Sequence, residues 1–311
     1  MNLWAAPIAL LLVIGGVWYL ATLEAIVTAR SLRPAVLVAP LRAGLRHLNK
    51  EFRATERPDR LLWLSAPVLL VALSLAALTV LPLAPGWIGA DLSVGVVWFT
   101  AMFALTLVAV FWAGWGPNSK YPLIAGYRFV GLMLAYEMPL AITIIAVALP
   151  AESLRLGDIV ATQQAGYWNV LTQPLGLAIY LLCALAVPFW GPFDSVTSRD
   201  VAGGVEAELS GAPLAVWRFG RYALLLTTAG FAVPLFFGGG AGPWLPAPLW
   251  TVVKIALVGA LLIVAGHWLS RFRLERFMRW AWIGLIPLSL INLFVIGLLI
   301  LIWPSLAGGT G

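Results

Sequence analysis

The chain has 311 residues, 62% of them hydrophobic and only 10% charged, with a mean hydropathy of +0.96; this excludes a soluble domain and describes an integral membrane protein. Its net charge of +6 is expected to reflect membrane orientation, with no nucleic-acid partner. The lone cysteine, Cys183 in the apolar run LLCALAV, rules out an internal disulfide, a CxxC motif and a thiolate cage for zinc or iron–sulfur. No metal or other cofactor is therefore expected on this chain, and any electron carrier belongs to a partner.

A membrane-crossing helix needs about 20 mostly apolar residues, and eight segments meet that, giving an all-α polytopic fold in a single membrane domain, 1–311. The first, 3–23, has no Lys or Arg ahead of its apolar stretch, so it reads as a retained helix and not a signal peptide. Connection 24–60 follows with eight basic residues, and within it Leu41, Leu45 and Leu48 recur at helical spacing while Arg42, Arg46, Lys50 and Arg53 take another face. That pattern predicts an amphipathic helix lying in the headgroup layer, serving either as a lipid anchor or as an entrance for a lipophilic ligand. Spans 61–84 and 92–114 come next, then the polar corner 115–121, whose Pro117, Asn118 and Ser119 suit a tight reversal and whose Lys120 suits an anionic leaflet. Span 122–149 is followed by 172–190, the long connection 191–221, and spans 219–238 and 249–270, with the GGGAGPW run at 238–244 read as a turn. Connection 271–280 and a last span, 281–303, complete the set.

The charges fix an orientation. Connections 24–60, 115–121, 191–221 and 271–280 hold sixteen of the basic residues, and the alternate connections hold only Arg155. By the positive-inside rule the first group is cytoplasmic and both termini face away from the cytoplasm. Tryptophans such as Trp87, Trp98, Trp112, Trp244 and Trp303 are placed near span ends, as an interfacial belt would be.

Three ionisable residues fall inside spans, where charge is costly and marks an interior or a water-filled path. Glu137 sits in LAYEMPLAI, and Pro139 leaves the carbonyl of Ala135 without its helical donor, opening a polar spot beside the carboxylate. It is a candidate proton-handling group; the alternative is a structural glutamate paired across helices, with Lys254 one candidate partner. Arg128 lies nine positions earlier, about 13.5 Å along a helix, so it is expected to snorkel or to meet the polar corner. Connection 191–221 gathers Asp194, Asp200, Glu206 and Glu208 between Pro192 and Pro213. It is longer than topology requires and reads as a docking surface for a soluble partner.

These stretches resemble a known family. GWGPNSKYPLIAGYR followed by AYE, KEFRATERPDRLLWLSAPVL, GPFD, and RFRLERFMRWAWIGLIPLSLINL are similar in order and spacing to motifs of the NuoH family. Its members are the H-type membrane subunits of the type I NADH:quinone oxidoreductases, or respiratory complex I, and of their membrane-hydrogenase relatives. The resemblance covers about residues 22 to 295. It implies eight helices with an amphipathic helix after the first, a prokaryotic-type inner membrane, and partners in the other membrane-arm subunits, the peripheral iron–sulfur arm and lipids. A quinone chamber at the interface with partner subunits and an acidic path feeding proton pumping are also implied. Carried onto this chain, the path falls on Glu137, Lys254 and Arg128. The chamber and docking loops fall on Glu24, Asp194, Arg271, Arg273 and Arg276, the last three being set in an arginine-rich turn; Asp200, Glu206 and Glu208 join them as the other acids of connection 191–221.

Departures from the family pattern qualify this. The quinone-entrance motif reduces to Glu24 and AIVTARSLRPAVL, and the run Val187 to Asp194 lacks the family's glutamate and arginine. Ser195, Val196, Thr197 and Ser198 stand where acids are found, and Arg221 replaces a glutamate. Arginine and valine cannot exchange protons near neutral pH, so the chain is expected to keep scaffold and docking roles with altered or lost quinone chemistry or proton entry. It would not be catalytic alone. A divergent subunit of a membrane hydrogenase or ferredoxin-driven ion-translocating complex without its own quinone site is the alternative. A secondary transporter would need inverted repeats and paired broken helices, which are not evident.

Overall fold

The computed structural model describes residues 5–302 apart from Leu32 and Phe52; Trp303 and both chain ends, whose sidedness was inferred above, lie outside these. The helices are α1 (Ala5–Ala29), α2 (Pro34–Leu37), α3 (Ala39–Leu48), α4 (Arg60–Leu78), α5 (Gly95–Trp115), α6 (Lys120–Ala148), α7 (Leu156–Ala165), α8 (Asn169–Thr172), α9 (Pro174–Ala186), α10 (Gly211–Phe236), α11 (Ala247–Trp268), α12 (Leu274–Trp280) and α13 (Ile286–Ile302). A π-helical segment, Ala281–Leu285, joins the last two into one run. Among the described residues, seven helices are long and apolar enough to cross a membrane: α1, α4, α5, α6, α10, α11 and the α12–α13 run.

The expected span at 172–190 differs. Its helix, α9, has 13 residues, about 20 Å against a hydrocarbon layer of about 30 Å. Pro174 starts it, and Pro188 ends it by removing the donor that Ala184 would use. The Thr228 hydroxyl bonds that carbonyl at 3.2 Å instead. Two connections also contain more helix than expected. α10 begins at Gly211, because Pro213 falls in a first turn whose N–H groups have no intrahelical partners anyway. Likewise α12 takes in Arg276, so it is helical where an arginine-rich turn was expected.

α10 is the central helix. Residues 223–236 are buried without a break, and it packs on α4, α11, α1 and α9. A helix covered on all sides has no lipid face, so it can carry the small and hydroxylated residues Gly220, Thr227, Thr228 and Gly230 that allow close approach. The last helix runs the other way: Trp282, Ile283, Phe294 and Leu301 are exposed apolar groups.

Neighbouring α5 and α6 meet at Gly114 and Gly126. A Cβ on Gly114 would lie 2.7 Å from the Pro122 carbonyl oxygen and 3.1 Å from Gly126 Cα. Gly114→Ala is therefore expected to cost about 1–3 kcal/mol, read as a lowered melting temperature of the detergent-solubilised protein; an unchanged value would mean the two helices part freely.

Four connections converge at one end of the bundle. The Asp59 N–H donates to the Gly116 carbonyl at 2.8 Å and Phe272 N–H to Pro192 carbonyl at 2.9 Å. Thr55 donates to Pro117 carbonyl at 2.5 Å, and Ser119 to Glu208 at 2.9 Å. Asn118 takes a left-handed φ of 52° in the polar corner, a conformation asparagine tolerates.

Candidate functional site: a charged chamber and a lone carboxylate

At that end lies a chamber of about 590 Å³. α1 contributes Glu24, α10 contributes Arg218, Arg221 and Tyr222, and the end of α11 contributes Gly266 and His267. The connection after α9 supplies Trp190, Gly191, Asp194, Thr197 and Glu206, and Arg271 closes the edge. Gly191, at φ 57°, sits against the backbone of Gly266, where a Cβ would have no room, so the loop can seal directly onto α11.

The chamber's carboxylates are all engaged. Glu206 accepts from Arg221 at 2.9 Å and from Arg218 at 3.1 Å. Arg221 also donates to the Phe189 carbonyl at 3.1 Å and lies over the Phe189 and Trp190 rings at 4.5 and 5.2 Å, a setting that favours a planar, weakly hydrated cation. Tyr222 donates its hydroxyl to Glu24. Asp194 accepts from Thr197 and, at 3.1 Å, from Arg271. Inside the wall Arg221 thus neutralises Glu206.

Four of the eight residues expected at the chamber and docking loops therefore meet: Glu24, Asp194, Glu206 and Arg271. The other two acids of the connection lie elsewhere. Asp200 accepts from Arg128 at 2.7 Å and from Ser198; the Ser198 hydroxyl first, then Arg128, holds Asp200 below the usual carboxylate range. Arg128 therefore snorkels to residues 195–200 and does not meet the polar corner. Glu208 pairs with Ser119. Arg273 caps α12 by position and Arg276 lies within it, and neither lines the chamber.

Arg218, Arg221 and Tyr222 were not all singled out from the sequence, although their i, i+3, i+4 spacing puts them on one helical face. The expected span begins at 219 and so leaves Arg218 in the preceding connection, whereas the helix begins at Gly211. Neither histidine stands out in the sequence, since no second histidine or cysteine lies at helical spacing from either. His267 lines the chamber, and His47 contacts Arg218 at 2.9 Å.

Glu137 and Lys254 do not pair. The Lys254 ammonium donates to the carbonyls of Phe237, Gly239 and Ala241 at 2.7, 2.8 and 2.7 Å, with the Trp168 ring 4.4 Å away. All three of its donors are used, and it pins the glycine turn to the C-terminal end of α10, where a cation is favoured. Lys254→Met is expected to destabilise the fold by about 1–3 kcal/mol, since it orphans those carbonyls; a thermal-unfolding comparison in detergent reads this, and a loss confined to activity would contradict it.

Glu137 stands apart from it. It is half-buried on α6, and its Oε2 is buried with no hydrogen-bond partner among the described residues. Beside it the Cys183 thiol points to the Tyr136 carbonyl at 3.7 Å. An unpaired acid among apolar helices is costly to ionise.

Apolar crossing helices topped by a charged chamber define a polytopic membrane protein with a built polar site at one end. The family model for NADH dehydrogenase matches residues 6–297, and the chain belongs to that family. It is 37% identical over 252 residues to the H 2 subunit of NADH-quinone oxidoreductase from Cereibacter sphaeroides, a match that covers 81% of this chain and 79% of that one. The H 2 subunit of the Rhodopseudomonas palustris enzyme is 34% identical over 254 residues, with the same coverage of both chains.

Proposed function

We propose that this chain is the H-type membrane-arm subunit of a complex I-like NADH:quinone oxidoreductase. In this reading it anchors the peripheral iron–sulfur arm at its loop-bearing end, and its chamber forms part of a quinone site completed by partner subunits. The single observation that carries the reading is the chamber itself, which gathers Glu24, Asp194, Glu206 and Arg271 from three separated parts of the sequence. Glu137 is the proton-handling group of the path, supported by its buried, unpartnered Oε2. Arg128 and Lys254, each held by several partners, position the connections around that path.

Membrane placement follows the same logic. α9 with its flanking turns makes an eighth, partly re-entrant crossing, which is tolerated because it is wrapped by α6, α10 and α13. α3 lies in the headgroup layer with Leu41, Leu45 and Leu48 toward the lipid, all more than half exposed. The basic connections face the cytoplasm of a prokaryotic-type inner membrane, and both termini face away from it. The peripheral arm docks on the connection 187–210, whose acids fold it down onto α6 and α10.

A second reading has its own support. Every carboxylate in the chamber is tied to a guanidinium or a phenol, which suits a subunit of a membrane hydrogenase or ferredoxin-driven complex with no quinone site of its own. Native mass spectrometry of the assembly purified through a tag on this chain separates the two. An NADH-binding subunit among the partners supports the first, a nickel–iron subunit the second, and a chain migrating alone would overturn both.

A further inference from the structure

Of the two histidines of the chain, His267 lines the chamber and His47 reaches the chamber residue Arg218 from α3, and their hydrogen bonds differ in kind. His267 has Nδ1 2.9 Å from the Ile263 carbonyl and Nε2 3.3 Å from the Thr28 hydroxyl. A hydroxyl can donate or accept, so that contact survives protonation of the ring. His47 has no such freedom. Its Nε2 lies 2.9 Å from a guanidinium nitrogen of Arg218, and a guanidinium only donates. Whichever ring nitrogen faces Arg218 must therefore carry a lone pair, independent of how the ring is oriented.

Protonated His47 would set one N–H against another and one cation against another. Its Nδ1 is buried and without a hydrogen-bond partner among the described residues, so no compensating contact forms. The surroundings act the same way: burial first, then Arg218, hold His47 below its ordinary value of 6.5, with Lys50 and Arg46 adding to this and Glu206 alone opposing it. The other acid nearby on the packed elements, Glu24 of α1, is engaged by Tyr222.

Little else holds this helix down. α3 packs across α1 and α10, two walls of the chamber, yet none of its residues is buried. Its one other side-chain hydrogen bond among the described residues is internal, from Arg46 to the Arg42 carbonyl. Past its end, the Arg53 N–H donates to the Ser210 hydroxyl at 2.9 Å, a tether on the segment after α3 and not on α3 itself.

We propose that His47 is a proton-operated latch that keeps α3 closed on α10 at the rim of the chamber while the imidazole is neutral and releases it when the ring is protonated. A depressed histidine stabilises the closed arrangement at high pH. That stabilisation is lost as pH falls from the free-histidine value toward the depressed one, by a factor of about ten in the closed-to-open ratio per unit of depression. Release leaves Arg218 on Glu206 alone and loosens the side of the chamber bounded by α1 and α10.

The test is a distance measurement on the intact assembly in nanodiscs. Nitroxides are placed at Gly44→Cys on α3, where an added Cβ meets nothing, and at Leu61→Cys on α4, which is exposed; native Cys183 is buried and stays unlabelled. A single narrow distance at about pH 8 should give way to a longer, broader distribution by about pH 5. His47→Gln, whose amide oxygen still accepts from Arg218, should stay narrow throughout, His47→Arg should be broad even at high pH, and His267→Gln should titrate as the wild type does. A wild-type distance that never changes, a titrating His47→Gln, a narrow His47→Arg, or loss of the transition in His267→Gln would each overturn the latch. The readout is the position of α3, not turnover, so its failure and the failure of the oxidoreductase reading are separable.

Discussion

Glu137→Gln is expected to cut proton-coupled turnover of the assembly by about tenfold or more, with abundance and melting temperature close to wild type. The amide fills the same volume and, like a protonated carboxyl, is neutral in the bilayer, so the packing of α6 is preserved. It cannot release a proton. Neither of the other charges inside the spans shares the task, because Lys254 is held on three carbonyls of the 237–241 turn and Arg128 is drawn to Asp200. Quinone reduction and proton movement in sealed vesicles measure this. Unchanged rates in both would reduce Glu137 to a structural residue.

A loss of stability is expected at Glu206. Its side chain and that of Arg221 are only 13% and 14% exposed, and removing one partner of such a pair costs about 3–5 kcal/mol, because the other charge remains buried. Glu206→Ala should therefore lower the melting temperature markedly, with most of the effect from Arg221; Arg218, 45% exposed, can turn to water. Arg221→Glu alone should be equally damaging because two carboxylates then face each other. Combined with Glu206→Arg it should recover most of the loss. A double variant no better than the singles would show that shape and not charge holds the wall.

Much of this was legible in the sequence. Apolar length located the seven long crossing helices, because that signal is local and additive along the chain. Of the eight residues expected at the chamber and docking loops, Glu24, Asp194, Glu206 and Arg271 line one chamber, whereas Asp200, Glu208, Arg273 and Arg276 do not, because acid-rich or basic composition does not say which way a side chain faces. The misses have physical causes. α9 looks long in hydropathy because Val187, Phe189 and Trp190 are apolar, yet Pro188 and the left-handed Phe189 turn the chain there. α10 starts earlier than its hydropathy does, since Arg218 and Arg221 lower the average while sitting on a regular helix. Lys254 suggested an ion pair with Glu137, but a glycine turn can offer three carbonyls from backbone alone, and nothing in side-chain chemistry announces that. The contact of His47 with Arg218 joins positions 171 apart, which no local pattern marks.

The most direct test of the account is photolabelling of the intact assembly with an azido-substituted quinone, followed by peptide mapping. Covalent label is expected on chamber residues such as Trp190, Tyr222 or His267, displaced by excess unmodified quinone and diminished in Glu206→Ala. Label confined to other subunits or to the lipid-facing surface of α13, or label that excess quinone does not displace, would contradict it.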